Sequence, residues 1–185
     1  RADDVATVFD DLKSFLKGFV PEAVAVQEEK LAKRPLKPLS GIYPIERQRD
    51  LGLAMMAAVG FDLTHGSLAV SHHPFCGGVP SDVRITTRYL EDYFPSSVFS
   101  TIHETGHALY ELGIAPPPAF RRTKLHDAAS MAVHESQSRL WENTIGRSLA
   151  FWKPNYAKLE TLAGPALKGV SVEDFCRAIN KVEPS

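Results

Sequence analysis

The segment Thr101-Ile102-His103-Glu104-Thr105-Gly106-His107-Ala108-Leu109-Tyr110 sets two histidines four residues apart, with a glutamate directly after the first. Around it Val98, Phe99, Ile102, Ala108 and Leu109 recur at helical spacing, and the pattern predicts a helix from about Ser96 to Leu112. At about 100° per residue both imidazoles fall on one face of that helix. Any fold of this chain must therefore bury the apolar part of the helix while keeping one stripe open to a site. Two unpartnered histidines would be costly on a buried helix, whereas together they can grip one metal ion. Zinc takes imidazole nitrogen, and a catalytic zinc site uses three protein ligands and leaves the fourth position to water. Glu104 would stand beside that water, where a carboxylate can serve as general base.

The third ligand has to come from elsewhere. The extended metzincin pattern would place Gly at 110 and His at 113; this chain has Tyr110 and Gly113, which excludes that class. His126, Asp127, His134 and Glu135 are the candidates on the next predicted helix. Glu135 is preferred, because two histidines and one glutamate form a known zinc-peptidase ligand set. Met131, Leu140 and Trp141 could also anchor its helix against the motif helix. His134 and His126 are the lesser options, and in a purely structural site His134 would be a fourth ligand.

The rest of the chain reads as mainly α. Val5, Val8, Phe9, Leu12, Phe15 and Leu16 mark an amphipathic helix, and a second is expected from Pro21 to Ala32, since proline suits a first helical turn. A connection rich in proline runs from Arg34 to Gly41, followed by a helix from about Pro44 to Val59. Leu68-Ala69-Val70 and Val83 to Tyr89 read as two short strands, with His72-His73-Pro74-Phe75-Cys76-Gly77-Gly78 as a turn or loop between them. Further helices are expected from Ala128 to Ile145, Leu149 to Leu162 and Ser171 to Asn180, after a break at Gly113 and Pro116-Pro117-Pro118. The predicted architecture is a helical metallopeptidase core with a small β element beside the active site.

With 44% apolar side chains, 185 residues suffice for one core. The 21 basic and 22 acidic residues nearly cancel, so no broad field draws the chain to nucleic acid or anionic lipid. Cys76 and Cys176 are too few for a disulfide framework and read as reduced thiols of a cytoplasmic protein. No apolar run approaches the roughly 20 residues a membrane span needs.

Four motifs in order, His73-Pro74-Phe75, Asp82-Val83-Arg84-Ile85-Thr86, His103-Glu104-Thr105-Gly106-His107 and His134-Glu135-Ser136-Gln137, resemble those of the carboxypeptidase Taq family of zinc metallocarboxypeptidases. The resemblance runs over essentially all 185 residues. It implies His103, His107 and Glu135 as metal ligands, Glu104 in catalysis, peptides as substrates, cobalt tolerated in place of zinc, and a homodimer. Two further family motifs, I-R-x-x-A-D and G-x-x-Q-D-x-H-W, have no counterpart here. The chain thus reads as residues 1–185 of a partial catalytic domain, an internal piece without the N-terminal helices and the C-terminal part of the groove.

Several residues are expected to support the site. Asp82, Arg84, Thr86 and Arg88 share one face of a strand that could line a groove, and Arg84 is a candidate to hold a substrate carboxylate. The resemblance favours His73 for a role in a loop near the metal. His134 and Gln137 could orient ligands, since metal-bound imidazoles usually donate their other N–H. Tyr110 reads as a helix-buried tyrosine and Arg121-Arg122 as a solvated loop, and Cys76 is given no catalytic role.

Overall fold

The structure, a computed structural model, describes residues 1–39, 41–114, 120, 123–124 and 127–182. The expectations for the triple proline, Arg121-Arg122 and His126 lie outside these residues.

Among the described residues, six α-helices and a three-stranded sheet make up the fold. The helices are α1 (Ala2–Lys33), α2 (Ile45–Ala58), α3 (Phe94–Gly113), α4 (Met131–Arg139), α5 (Leu149–Ala163) and α6 (Val172–Ile179). Strands β1 (Gly66–Val70), β2 (Phe75–Val79) and β3 (Asp82–Thr87) lie in the order β1-β3-β2. β3 runs parallel to β1 and antiparallel to β2. This is the mainly helical architecture with a small β element that the sequence predicts.

α3 is the shared wall of two apolar clusters. Phe94, Val98, Phe99 and Ile102 pack with Leu51 and Met55 of α2, Trp152 and Leu159 of α5, and Phe175 of α6. Ala108 joins Met56, Phe61, Leu68, Val83 and Ile85 beneath the sheet. Each such large side chain, once fully buried, contributes roughly 1.5–3 kcal/mol. Polar pins fix the same wall: buried Gln48 donates to the carbonyls of Tyr43 and Leu90 at 2.8 Å and accepts from Ser97 Oγ at 2.8 Å. Thr87 at the end of β3 meets Ser100 of α3 through their hydroxyls, 2.7 Å apart.

Three local expectations are corrected. α1 is one helix of 32 residues that runs through Pro21, not two with proline at the second start. The helix keeps its course through the proline to Lys33, and no buried side chain of α1 accounts for it. Phe75–Val79 is a strand where a turn or loop was expected. Its second glycine serves a close approach: Gly78 has φ +140°, and a Cβ there would lie 2.2 Å from Asp82 O across the ladder. Finally, the helix expected to reach Ile145 changes after Arg139 to a wider π-helical turn, Leu140–Ile145.

α1 carries no buried residue, and Val8, Phe9 and Phe15 are at least 60% exposed. It is tethered at its C-terminal end, where Gln27 bonds Val182 backbone N and O at 2.8 and 2.9 Å, and Arg34 pairs with Asp174 at 2.7 Å. Among the described residues no helix is long and apolar enough to cross a membrane.

Candidate metal centre

His103 and His107 project from α3 toward α4, whose start is capped by Ser130 Oγ accepting from Val133 N at 3.2 Å. One turn later Glu135 faces both rings. Its Oε2 lies 3.6 Å from His103 Nε2 and 3.2 Å from His107 Nε2. One ligand atom from each of His103, His107 and Glu135 falls within 4.8 Å of the others. The helices can approach this closely because α3 offers Gly106 at the crossing. A Cβ there would lie 2.7 Å from Ser138 Cα and 3.0 Å from Gln137 O.

The carboxylate of Glu135 is held at both ends. Oε1 accepts from Arg139 Nε at 2.8 Å, and Oε2 accepts from Ser138 Oγ at 3.1 Å. Burial works against ionisation, but these two donors keep its carboxyl below the usual glutamate value. On the far sides of the rings, His103 Nδ1 lies 2.9 Å from Glu142 Oε2 and His107 Nδ1 lies 2.7 Å from His134 Nδ1. The Glu142 hydrogen bond raises the His103 pKa above that of free imidazole. Burial first, then the neighbouring rings of His103 and His134, lowers that of His107.

Glu104, 8% exposed, points into a cavity of about 490 Å³ together with His103, His73, Pro74, Tyr93, Phe99 and Glu142. Loss of hydration in this setting raises its pKa above the usual glutamate value. A carboxylate that holds protons more strongly is a better base for water. Cys76 on β2 faces the same acidic groups: burial, then Glu104 and Glu111, push its thiol up to about 12. It is a protonated thiol at neutral pH.

The other sequence candidates divide. His73 lines the cavity. Arg84 is exposed with its fork 3.0 Å from Asp82, and Thr86 Oγ1 accepts from Phe75 N at 3.0 Å; none of Asp82, Arg84 and Thr86 lines the cavity. Arg139 and Arg147 are the arginines that do. Gln137 turns along its own helix toward Ser136 Oγ at 3.5 Å. His134 has both ring nitrogens engaged away from the three converging atoms, one by His107 and the other by Glu111 Oε2 at 3.3 Å. Sequence reading missed Glu111, Arg139 and Glu142, although Glu111 follows His107 by four and Arg139 follows Glu135 by four, the spacing that puts side chains on one helical face.

A sequence model of the Carboxypeptidase Taq (M32) metallopeptidase family matches residues 1–185. The chain belongs to this family. Thermostable carboxypeptidase 1 of Thermus thermophilus is 44% identical over the whole chain, and carboxypeptidase 1 of Bacillus subtilis is 44% identical over 77% of it. Among solved carboxypeptidase Taq relatives, the M32 carboxypeptidase from Deinococcus radiodurans R1 superposes with a TM-score of 0.86 at 38% identity, covering 100% of this chain and 36% of that one. Metallocarboxypeptidase 1 of Trypanosoma cruzi gives 0.84 at 34% identity, covering 97% and 37%. The chain spans 35% of the length of its Thermus relative and 28% of its Bacillus relative.

Proposed function

We propose that this chain is the metal-bearing part of the catalytic domain of a zinc-dependent metallocarboxypeptidase that releases C-terminal residues from peptides. The observation that carries the reading is the convergence of His103 Nε2, His107 Nε2 and Glu135 Oε2 beside buried Glu104 at a cavity wide enough for a peptide end. The donor set fits the metal: two imidazoles and one carboxylate are a catalytic zinc set, and each ring presents Nε2 inward while Nδ1 is hydrogen-bonded outward. His103, His107 and Glu135 would hold the ion. When bound it supplies Lewis acidity, which polarises a carbonyl and lowers the pKa of water.

Glu104 is the general base. Its carboxylate takes a proton from the attacking water and returns it to the departing amine, and burial, which raises its pKa, favours the first of these transfers. His73 and Pro74 line the same cavity, where they would flank the substrate. Arg84, exposed on β3 and paired with Asp82 at 3.0 Å, is kept as a candidate to hold the substrate carboxylate. Cobalt would substitute for zinc, and the whole protein would act as a homodimer in the cytoplasm; its cysteines are free thiols, in keeping with a reducing compartment.

Glu104→Gln in the full-length protein tests the assignment. Metal content is expected to be unchanged while turnover falls on the order of a hundredfold or more; ordinary activity in that variant would defeat it. Comparing free and amidated peptide C-termini tests the direction of cutting, and equal cleavage of both would remove the carboxypeptidase reading.

A further inference from the structure

The geometry points to Glu142 and Glu111 as positioning residues that fix which nitrogen of each histidine faces the metal. The inference rests on the metal-centre reading above. A neutral imidazole carries one proton on either ring nitrogen, and only the bare nitrogen can hold a cation. For His103 and His107 the nitrogen that faces Glu135 is Nε2. Both rings must therefore carry their proton on Nδ1.

For His103 the selection is direct. Nδ1 lies 2.9 Å from Glu142 Oε2, and an ionised carboxylate can only accept. Glu142 is itself locked: Oε1 accepts from Arg147 Nη2 at 3.2 Å, and Oε2 lies 3.4 Å from Arg139 Nη1. Arg147 is held in turn by the Ile179 carbonyl and by the Phe99 ring, 4.1 Å below its guanidinium. Through Arg139, Glu142 is joined to the carboxylate of Glu135, so one ion-pair network spans a proposed ligand and the partner of another.

For His107 the selection passes through a second ring. His107 Nδ1 and His134 Nδ1 are 2.7 Å apart, so one of them donates. His134 Nε2 faces Glu111 Oε2 at 3.3 Å. The acceptor draws the His134 proton to Nε2, leaves its Nδ1 bare, and requires His107 Nδ1–H to be the donor. His107 Nε2 is then free to face the metal. The two carboxylates thus do the same work, one at first hand and one through a relay.

The test uses this chain with zinc alone as the probe, and three readouts: zinc affinity by chelator competition, ring tautomers by long-range proton–nitrogen spectra of the metal-free chain, and its thermal unfolding. The unchanged chain is expected to show both rings protonated at Nδ1. Glu142→Ala should lose that form at His103 alone, Glu111→Ala at His107 alone, and each should bind zinc roughly tenfold to a hundredfold more weakly. Glu142→Gln and Glu111→Gln keep the side-chain volume and an acceptor oxygen; they should fold as the unchanged chain does and lie between it and the alanine variants. A purely structural role would lower the metal-free melting temperature while leaving tautomers and affinity alone. Unchanged tautomers with affinities within about twofold would overturn the proposal. No zinc binding by the unchanged chain would overturn the metal-centre reading, and this inference with it.

Discussion

Gly106 governs how closely the helices bearing the proposed ligands meet. A side chain there would strike the backbone of α4 at Ser138 and Gln137, at 2.7 and 3.0 Å, and neither is a flexible end that can swing aside. Gly106→Ala should therefore push α4 from α3, cost about 1–3 kcal/mol as an overpacked contact, and weaken zinc binding by moving Glu135 from the rings. Urea unfolding and chelator competition check the two effects, and an unchanged pair of values would refute the close-approach argument. His103, Glu104 and His107 were legible as a group because their placement follows from spacing within one helix. Gly106 was not, since its meaning depends on a helix some thirty residues later in the chain. Glu142 and Glu111 escaped for a related reason: a carboxylate that accepts from an imidazole looks, in sequence, like any acid on a solvated helical face.

Among the elements, helices were easier to read than the β region. Apolar spacing located α2, α3, α5 and α6 to within a residue or two of their ends. In β2 the Gly77-Gly78 pair signalled a turn, because glycine's turn propensity is visible locally, while the use of Gly78 at a tight strand pairing depends on the Asp82 carbonyl of β3. Pro21 misled in the same way: its local preference for a helix start is visible in the sequence, while the helix runs through it. The lock between α6 and the segment after α1 has its own signature. Asp174 meets Arg34 at 2.7 Å and Lys37 at 3.5 Å; burial opposes the shift, but these cations hold its carboxyl below the usual value of 3.8. A depressed carboxylate stabilises the folded state above its unfolded value, and that contribution is lost as pH falls through the lower folded value. Urea midpoints should thus drop on acidification below about 3.8. In Asp174→Asn they should be lower at neutral pH and should lose this part of the acid slope; an identical slope would rule the lock out.

At the scale of the whole molecule, the chain divides into a packed centre and an extended helix. Trp152 is fully buried among Phe99, Phe151 and Phe175 and donates through Nε1 to Gly146 O at 2.7 Å. Trp152→Ala should cost about 3–5 kcal/mol in this chain. Phe9→Lys and Leu12→Lys on α1, where both side chains are exposed, should change its unfolding free energy by no more than about 0.5 kcal/mol. Comparable losses at both places would mean that α1 is packed rather than free. The three converging side chains and Glu104 lie on α3 and α4, and His73, Pro74 and Tyr93 join the cavity from outside these helices.

The most direct measurement is anomalous diffraction from crystals of the zinc-loaded chain, collected at the zinc edge. The account predicts one strong peak within bonding distance of His103 Nε2, His107 Nε2 and a carboxylate oxygen of Glu135, with no fourth protein ligand. A peak elsewhere, or one that includes His134 in place of Glu135, would contradict it.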